Sequence, residues 1–184
     1  MNTKCTIPRQ IDQSRIIWFF ALTILSCSCA SISNKENKPS PFVTDTVKYD
    51  NGNMMAIAYS SPSARDREVW NQLVPYGELW RTGANEATVF TTTIDLLISN
   101  DTLKAGKYSV FTIPNDEEWT IIFNKDWEQW GAYGYNQQDD ALRITVLPTI
   151  TDKHQEEMTI AIRNDQFLFH WKNISYAISM TRLD

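Results

Sequence analysis

Apolar residues recur at every second position through most of the chain beyond residue 45, and this period predicts β-strands rather than helices. Each alternating run should bury one face of its strand, because successive side chains point to opposite faces of a sheet. The clearest runs are Leu142, Ile144 and Val146; Met158, Ile160 and Ile162; Phe167, Phe169 and Trp171; and Ile174, Tyr176, Ile178 and Met180. We interpret the last two runs as separate strands joined near Asn173.

Turn signals divide the remaining strands. The Asn51-Gly52 pair separates two alternating runs, and it tolerates the positive φ angles that a tight type I′ hairpin needs. Residues 108–113 and 119–123 are apolar on both faces, which is typical of central strands, and the turn residues 114–116 lie between them.

The fold class that follows from this pattern is all-β. We expect a single antiparallel β-sandwich, jelly-roll-like, of about ten strands with at most one short helix. The one helical signal begins at Ser63, a candidate N-cap, and runs to Leu73, where the nearby Pro75 ends it. No repeat of solenoid length is visible in the sequence.

The start of the chain has the layout of a signal peptide. Three basic residues precede an apolar run over residues 16–25, which is shorter than the roughly 20 residues that a spanning helix needs. Residues 24–27, Ile-Leu-Ser-Cys, resemble the lipobox of bacterial lipoproteins, in which the cysteine is acylated after cleavage. We therefore expect residues 1–26 to be a signal peptide and Cys27 to carry a lipid. Simple cleavage near Ala30 and an uncleaved anchor are the alternatives.

After cleavage, the expected organisation is a lipidated N-terminus and flexible tether over residues 27–44, then one β domain over residues 45–184. Residues 1–26 carry three positive charges and one negative charge, so their removal moves the formal charge from -5 to -7. An acidic protein is not expected to bind nucleic acid, which rewards clustered Lys and Arg. We expect the protein in the bacterial cell envelope, facing the periplasm or the cell surface, with the membrane as its partner through the lipid anchor.

Several stretches of the domain carry a family resemblance. Residues 80–86 read Trp-Arg-Thr-Gly-Ala-Asn-Glu, and further matching stretches lie at residues 105–114, 119–124 and 129–133. Together they resemble the DUF2911 family of uncharacterised, mostly secreted bacterial proteins, over roughly residues 49–178. The resemblance implies a secreted β domain and carries no mechanism with it.

The segment from Trp80 to Glu86 offers the first candidate site. In a functional interpretation, Arg81 and Glu86 present a cation and an acceptor to a small polar ligand, with Trp80 as a stacking wall. Asn85 belongs to the same candidate set. In a structural interpretation, Arg81 pairs with Glu86 and Asn85 caps the turn. Gly83 then supplies a positive φ, and Trp80 belongs to the core.

Residues 127–135 offer the second candidate, because they concentrate aromatic side chains around two glycines. Aromatic platforms suit sugar rings, whose C–H faces stack on them, and they also anchor protein interfaces. We expect Trp130 and Tyr133 to join residues 80–86 in one pocket, since β domains place loops from distant strands at a common end. Packing of these rings onto the sheet edge is the alternative.

The remaining candidate residues argue against some classes of site but do not identify one function. His154 and His170 are the only histidines and no cysteine lies in the domain, so we expect no metal and no cofactor. We expect an envelope-anchored binding module for a small polar molecule, a glycan fragment or a protein partner. The alternative is a hydrolase acting on envelope or imported carbohydrate with Glu86 as acid or base, although Glu86 has no sequence-evident partner carboxylate. A purely structural role would leave the domain without a concave site.

Overall fold

The computed structural model describes residues 39–183, which fold almost entirely into strands and loops. The eleven strands are β1 (Phe42–Lys48), β2 (Met54–Ser60), β3 (Ala84–Thr92), β4 (Asp95–Ile98), β5 (Asp101–Leu103), β6 (Gly106–Ile113), β7 (Trp119–Asn124), β8 (Asp140–Val146), β9 (Thr149–Arg163), β10 (Gln166–Ser179) and β11 (Thr181–Leu183). One 3-10 turn, Gln137–Asp139, is the helical element of these residues. The all-β prediction with at most one short helix is therefore confirmed.

The strands form three antiparallel sheets. The largest has the order β1-β2-β3-β6-β7-β8, a second pairs β9 with β10, and a third has the order β11-β4-β5. The predicted central strands β6 and β7 are interior strands of the large sheet. The assembly of these sheets into one jelly-roll-like sandwich stays a prediction.

The N-terminal predictions fall mostly on residues before 39. The signal peptide, the lipidation site Cys27 and most of the tether lie outside the described residues. The end of the tether does not, because β1 begins at Phe42 and pairs there with Ser60 of β2. Residues 42–44 thus belong to the sheet rather than to a flexible linker. No helix within residues 39–183 is long and apolar enough to cross a membrane.

One hydrophobic core collects side chains from all three sheets. The predicted inward-facing residues are buried in it, with the exception of Val146, which is half-buried at its margin. Fully buried aromatic rings form its centre, namely Trp119, Trp171, Phe90, Phe123, Phe167 and Phe169. The period-two pattern therefore identified the core-facing positions of β8, β9 and β10 correctly.

A second, smaller cluster lies on the opposite face of the large sheet. Phe111 and Ile122 are completely buried there, while their neighbours Val110 and Ile121 face the main core. Tyr135, from the loop between β7 and β8, packs edge-on against Phe111 with ring centroids 5.1 Å apart. This loop covers part of the outer face, which explains why β6 and β7 are apolar on both sides.

The last two predicted strands are one continuous strand. β10 runs from Gln166 to Ser179, and its pairing with β9 shifts register on both sides of Lys172, which has φ 54°. From His170 to Ile174, β10 advances four residues (174 − 170) while β9 advances nine (159 − 150), so the ladder is irregular here, and the left-handed Lys172 moves the inward phase of β10 by one position. The buried residues are accordingly odd-numbered up to Trp171 and even-numbered from Ile174. The change of phase near Asn173 therefore signalled an irregularity within one strand, not a strand end.

Two local predictions need correction. The first hairpin is present, but Gly52 alone of the Asn51-Gly52 pair has a positive φ, and its amide donates to the carbonyl of Tyr49. This is a type I turn followed by a left-handed glycine, not a type I′ turn. Residues 63–73 form turns rather than a helix, with left-handed residues at Arg65 and Asp66 that a helix excludes.

Candidate functional site

Trp80 belongs to the core, as the structural interpretation held. Its side chain is 9% exposed and stacks on Trp171 with ring centroids 5.9 Å apart. Trp70 contacts both rings edge-on, at 6.3 Å from Trp80 and 5.7 Å from Trp171. The indole Nε1 of Trp80 donates to the carbonyl of Gly83 at 3.0 Å, so its polar edge is satisfied within its own loop.

The loop from Trp80 to Thr88 is fixed by hydrogen bonds between threonines. The hydroxyls of Thr82 and Thr112 lie 2.8 Å apart, and Thr88 donates to the carbonyl of Thr82 at 2.8 Å. Positive φ occurs at Thr82 and Asn85, and not at Gly83 as predicted. Gly83 is needed for another reason, since a Cβ there would lie 3.0 Å from the Thr88 hydroxyl and 3.1 Å from the Ser60 carbonyl.

The predicted pair of Arg81 and Glu86 does not form. None of the ion pairs within residues 39–183 involves Arg81 or Glu86. Instead, the two side chains line two different clefts that have no lining residue in common. We call these the arginine cleft and the tryptophan cleft.

The tryptophan cleft has a volume of about 440 Å³. Sheet residues of β2 and β3, Ala58 and Val89, line it together with the rings of Trp127 and Trp130. Glu86 and Glu128 also line it. Phe42 adds a further exposed ring from β1. The cleft thus has mainly apolar walls and two acidic residues among those that line it.

Backbone pairing holds the loop of this cleft against the sheet. Glu86 and Trp130 form an antiparallel bridge, and the amide of Ala87 donates to the carbonyl of Gln129 at 3.0 Å. On the other side, the Lys107 ammonium lies 4.3 Å from the centre of the Trp127 ring, a cation–π contact. Residues 86 and 130, far apart in sequence, are therefore fixed next to each other.

A buried amide network supports the same loop from beneath. Asn124 is completely buried, and its Nδ2 donates to the carbonyl of Asn136 at 2.9 Å and to Asp140 Oδ1 at 2.8 Å. Gln129 Nε2 donates to the carbonyl of Asp126 at 2.7 Å. These bonds tie the loop that carries Trp127 and Trp130 to β7 and β8. The network is not fully paired, because Gln129 Oε1 is buried without a hydrogen-bond partner within residues 39–183.

Asp140 also holds the aromatic end of the loop. The hydroxyl of Tyr135 donates to Asp140 Oδ2 at 2.8 Å, and Arg143 lies 3.5 Å from the same oxygen. Burial, followed by the hydrogen bond to Asp140 and the charge of that carboxylate, raises the pKa of Tyr135 to about 12. Tyr135 therefore stays protonated and donating at any ordinary pH.

The six predicted site residues do not meet in one pocket. Glu86 and Trp130 share the tryptophan cleft, whereas Trp80 and Arg81 line the arginine cleft. Asn85 is exposed near the start of β3 and lines neither cleft. Tyr133 is 93% exposed and also lines neither. Ligand binding by these residues stays a prediction.

Sequence reasoning missed two residues of the tryptophan cleft. Trp127 and Glu128 border it, and both lie in the aromatic segment that had been singled out. The composition identified the segment as aromatic, but it did not show that Trp127 lines the cleft and Tyr133 does not. Only the bridge between Glu86 and Trp130 decides which side of the loop faces the sheet.

The histidines lie away from both clefts. His170 Nε2 lies 3.2 Å from the carbonyl of Lys153, and His154 is an exposed neighbour of Glu156 at 3.4 Å. Within residues 39–183 there is no group of three or more His, Cys, Asp and Glu side chains that would hold a metal ion.

A family model with the description "Protein of unknown function (DUF2911)" matches residues 40–180. Because the match covers most of the chain, the chain belongs to this family, in agreement with the resemblance of residues 80–86 and the later stretches. The search of curated proteins and the search of solved structures gave no match.

Proposed function

We propose that this DUF2911 protein is a binding module of the bacterial cell envelope that holds a neutral carbohydrate in the tryptophan cleft. The observation that carries the proposal is that two tryptophans, Trp127 and Trp130, and two acidic residues, Glu86 and Glu128, line one largely apolar cleft. Trp130 and Phe42, which are 66% and 60% exposed, both line this cleft, and an exposed apolar patch of this kind is typical of a binding site.

Each component of the cleft suits one part of a sugar ring. The C–H face of a pyranose stacks on an indole, while carboxylates accept hydrogen bonds from its hydroxyls. The volume of about 440 Å³ lies within the range of small-molecule sites and accommodates one or two rings. Two acidic groups at the rim disfavour an anionic ligand, so the carbohydrate should be uncharged.

The rigidity of the cleft favours binding. Asn124 and the bridge of Glu86 to Trp130 hold the loop in place without a ligand. A site that is already ordered does not lose conformational entropy when the ligand enters, and this raises affinity.

Envelope location remains part of the proposal. A lipid at Cys27 would hold the domain at the membrane through the intervening segment. An anchored binding module of this kind concentrates carbohydrate at the cell surface or in the periplasm.

The binding test uses Trp fluorescence and titration calorimetry of the purified full-length chain against neutral mono- and oligosaccharides. Trp130→Ala should weaken binding by about tenfold or more, since stacking on an aromatic ring contributes about 1–3 kcal/mol. Tyr133→Ala is the matched control, because this exposed aromatic residue lies in the same loop and outside the cleft. Equal losses in both variants, or no binding of any carbohydrate, would contradict the proposal.

One observation favours hydrolysis as a second candidate. Glu128 lines the same cleft as Glu86 and is therefore the candidate partner carboxylate for it. Glycoside hydrolysis requires two carboxyl groups on either side of the scissile bond. Release of reducing sugar by the wild type, with loss in both Glu86→Gln and Glu128→Gln, would establish the enzyme. Carbohydrate binding without release of reducing sugar would instead support the binding module.

A further inference from the structure

The arginine cleft lies apart from the tryptophan cleft and has a different chemistry. It has a volume of about 190 Å³ and is lined by the two guanidinium groups of Arg67 and Arg81. The rings of Trp80 and Trp171 form part of its wall. No Asp or Glu side chain is among the described residues that line it. Two cations therefore face one small cleft without a carboxylate between them.

Arg81 carries an unsatisfied donor. Its Nε is buried and has no hydrogen-bond partner within residues 39–183, while the side chain as a whole is half-buried. A buried N–H without an acceptor is costly, and more so when the group is charged, so such groups are rare and call for an explanation. The Arg81 guanidinium also forms no ion pair within residues 39–183, so its positive charge has no protein counter-ion at the cleft.

Arg67 is already held in place by the backbone. Its Nε donates to the carbonyl of Ala64 at 2.9 Å and one Nη donates to the carbonyl of Ser63 at 2.8 Å. A guanidinium has five N–H donors, so three remain for another partner. Arg67, held by the backbone, and Arg81 therefore both supply N–H donors at this cleft.

We propose that the arginine cleft binds a small oxyanion, a carboxylate or phosphate group, between Arg67 and Arg81. The terminal Nη–H groups of a guanidinium form a planar fork that matches two oxygens of such an anion. The indole rings exclude water from one side and strengthen the charge interaction. The small volume fits an isolated anion or the anionic end of a larger ligand. This site does not depend on carbohydrate binding in the other cleft.

The test uses sodium acetate and inorganic phosphate as the two probes, each titrated into the full-length chain at constant ionic strength. Trp80 and Trp171 line the cleft, so binding should change the intrinsic fluorescence in a saturable way. Saturation by acetate alone identifies a carboxylate site, and saturation by phosphate alone identifies a phosphate site. A linear response to both anions, the same as to sodium chloride, overturns the proposal.

Substitutions locate the effect. Arg81→Gln should weaken binding by about tenfold to a hundredfold, the range expected for a lost hydrogen bond between charged groups. Arg81→Lys keeps the charge but loses the planar guanidinium, so its affinity for the anion should lie between those of the wild type and Arg81→Gln. Arg143→Gln is the matched control, because it removes the same charge on β8, away from the cleft. Equal affinity in wild type and Arg81→Gln would overturn the proposal.

If Arg81→Gln does not fold, Arg67→Gln decides the question. Arg67 is exposed, and the loss of its contacts to two carbonyls is tolerable at a surface turn. A loss of anion binding of about tenfold in Arg67→Gln supports the site. Unchanged binding in a folded Arg67→Gln removes Arg67 from it and overturns the two-arginine arrangement.

Discussion

The hydroxyl of Tyr49 donates a 2.5 Å hydrogen bond to Asp165 Oδ1. Arg182 completes the group, with its Nε 3.2 Å from the other carboxylate oxygen and its guanidinium 4.2 Å from the centre of the Tyr49 ring. Tyr49 follows β1, Asp165 lies in the turn between β9 and β10, and Arg182 lies in β11. One carboxylate therefore connects the edge of the large sheet to the two smaller sheets.

This connection predicts a loss of stability at alkaline pH. The pKa of Tyr49 is raised to about 12, mainly by burial and then by the hydrogen bond to Asp165 and the negative charge of that residue. The positive charge of Arg182 acts in the opposite direction. Because the pKa is higher in the folded state than its ordinary value of about 10, the contribution of Tyr49 to stability is complete below pH 10. It is lost as the pH rises through 12.

Urea unfolding of wild type and Tyr49→Phe at a series of pH values between 9 and 12 measures this effect. Tyr49→Phe should be about 1 kcal/mol less stable at neutral pH and should lose less stability on alkalinisation. Part of the loss remains in the variant, because the pKa of Tyr135 is raised to about 12 as well. Tyr133→Phe is the control, because Tyr133 is exposed, and its stability should follow the wild-type pH curve. If Tyr49→Phe also followed the wild-type curve, the hydrogen bond to Asp165 would not contribute to stability.

Asn124→Asp should strongly destabilise the domain. The substitution replaces the Nδ2 donor to Asn136 and Asp140 with a carboxylate oxygen beside another carboxylate. An unpaired buried charge costs about 3 kcal/mol or more in the free energy of unfolding. The measurement is chemical denaturation, with near-ultraviolet circular dichroism as a report on the packing of the aromatic side chains. The exposed Asn173→Asp is the control, and a comparable effect there would contradict the network.

Gly83→Ala should destabilise through crowding. An added Cβ meets the Thr88 hydroxyl at 3.0 Å and the Ser60 carbonyl at 3.1 Å, and the second contact is with backbone that does not move easily. Overpacking of this kind costs about 1–3 kcal/mol. Gly134→Ala is the matched control, since its nearest neighbour is the Gln129 side chain at 3.4 Å. Thermal melts that shift equally in both variants would refute the close-approach explanation.

The lipid anchor is tested by fractionation. The full-length protein should partition into membranes and into the detergent phase, because an acylated Cys27 adds the apolar chain that an acidic domain lacks. Cys27→Ser should give soluble or unprocessed protein. Wild-type protein found free in the periplasm or medium would rule out lipidation at this residue.

The sequence by itself determined the strands and the inward faces of most of them. Burial of Met158, Ile160 and Ile162 follows from period two alone, since a strand with one buried face must alternate. The string from Trp80 to Glu86 was equally informative about the family, because seven adjacent residues of mixed chemistry rarely coincide.

Only the tertiary structure decided the composition of the sites. Arg81 and Glu86 are five residues apart and were expected to interact, yet they line separate clefts. Glu86 instead lies beside Trp130, through a backbone bridge between distant segments. Local sequence fixes the direction of a side chain relative to its own strand, but loop geometry and sheet register place it against others. Positive φ occurs at Thr82 and Asn85 in place of the expected Gly83, and although asparagine adopts it readily, a β-branched threonine does not, so residue type gives no signal for it at Thr82.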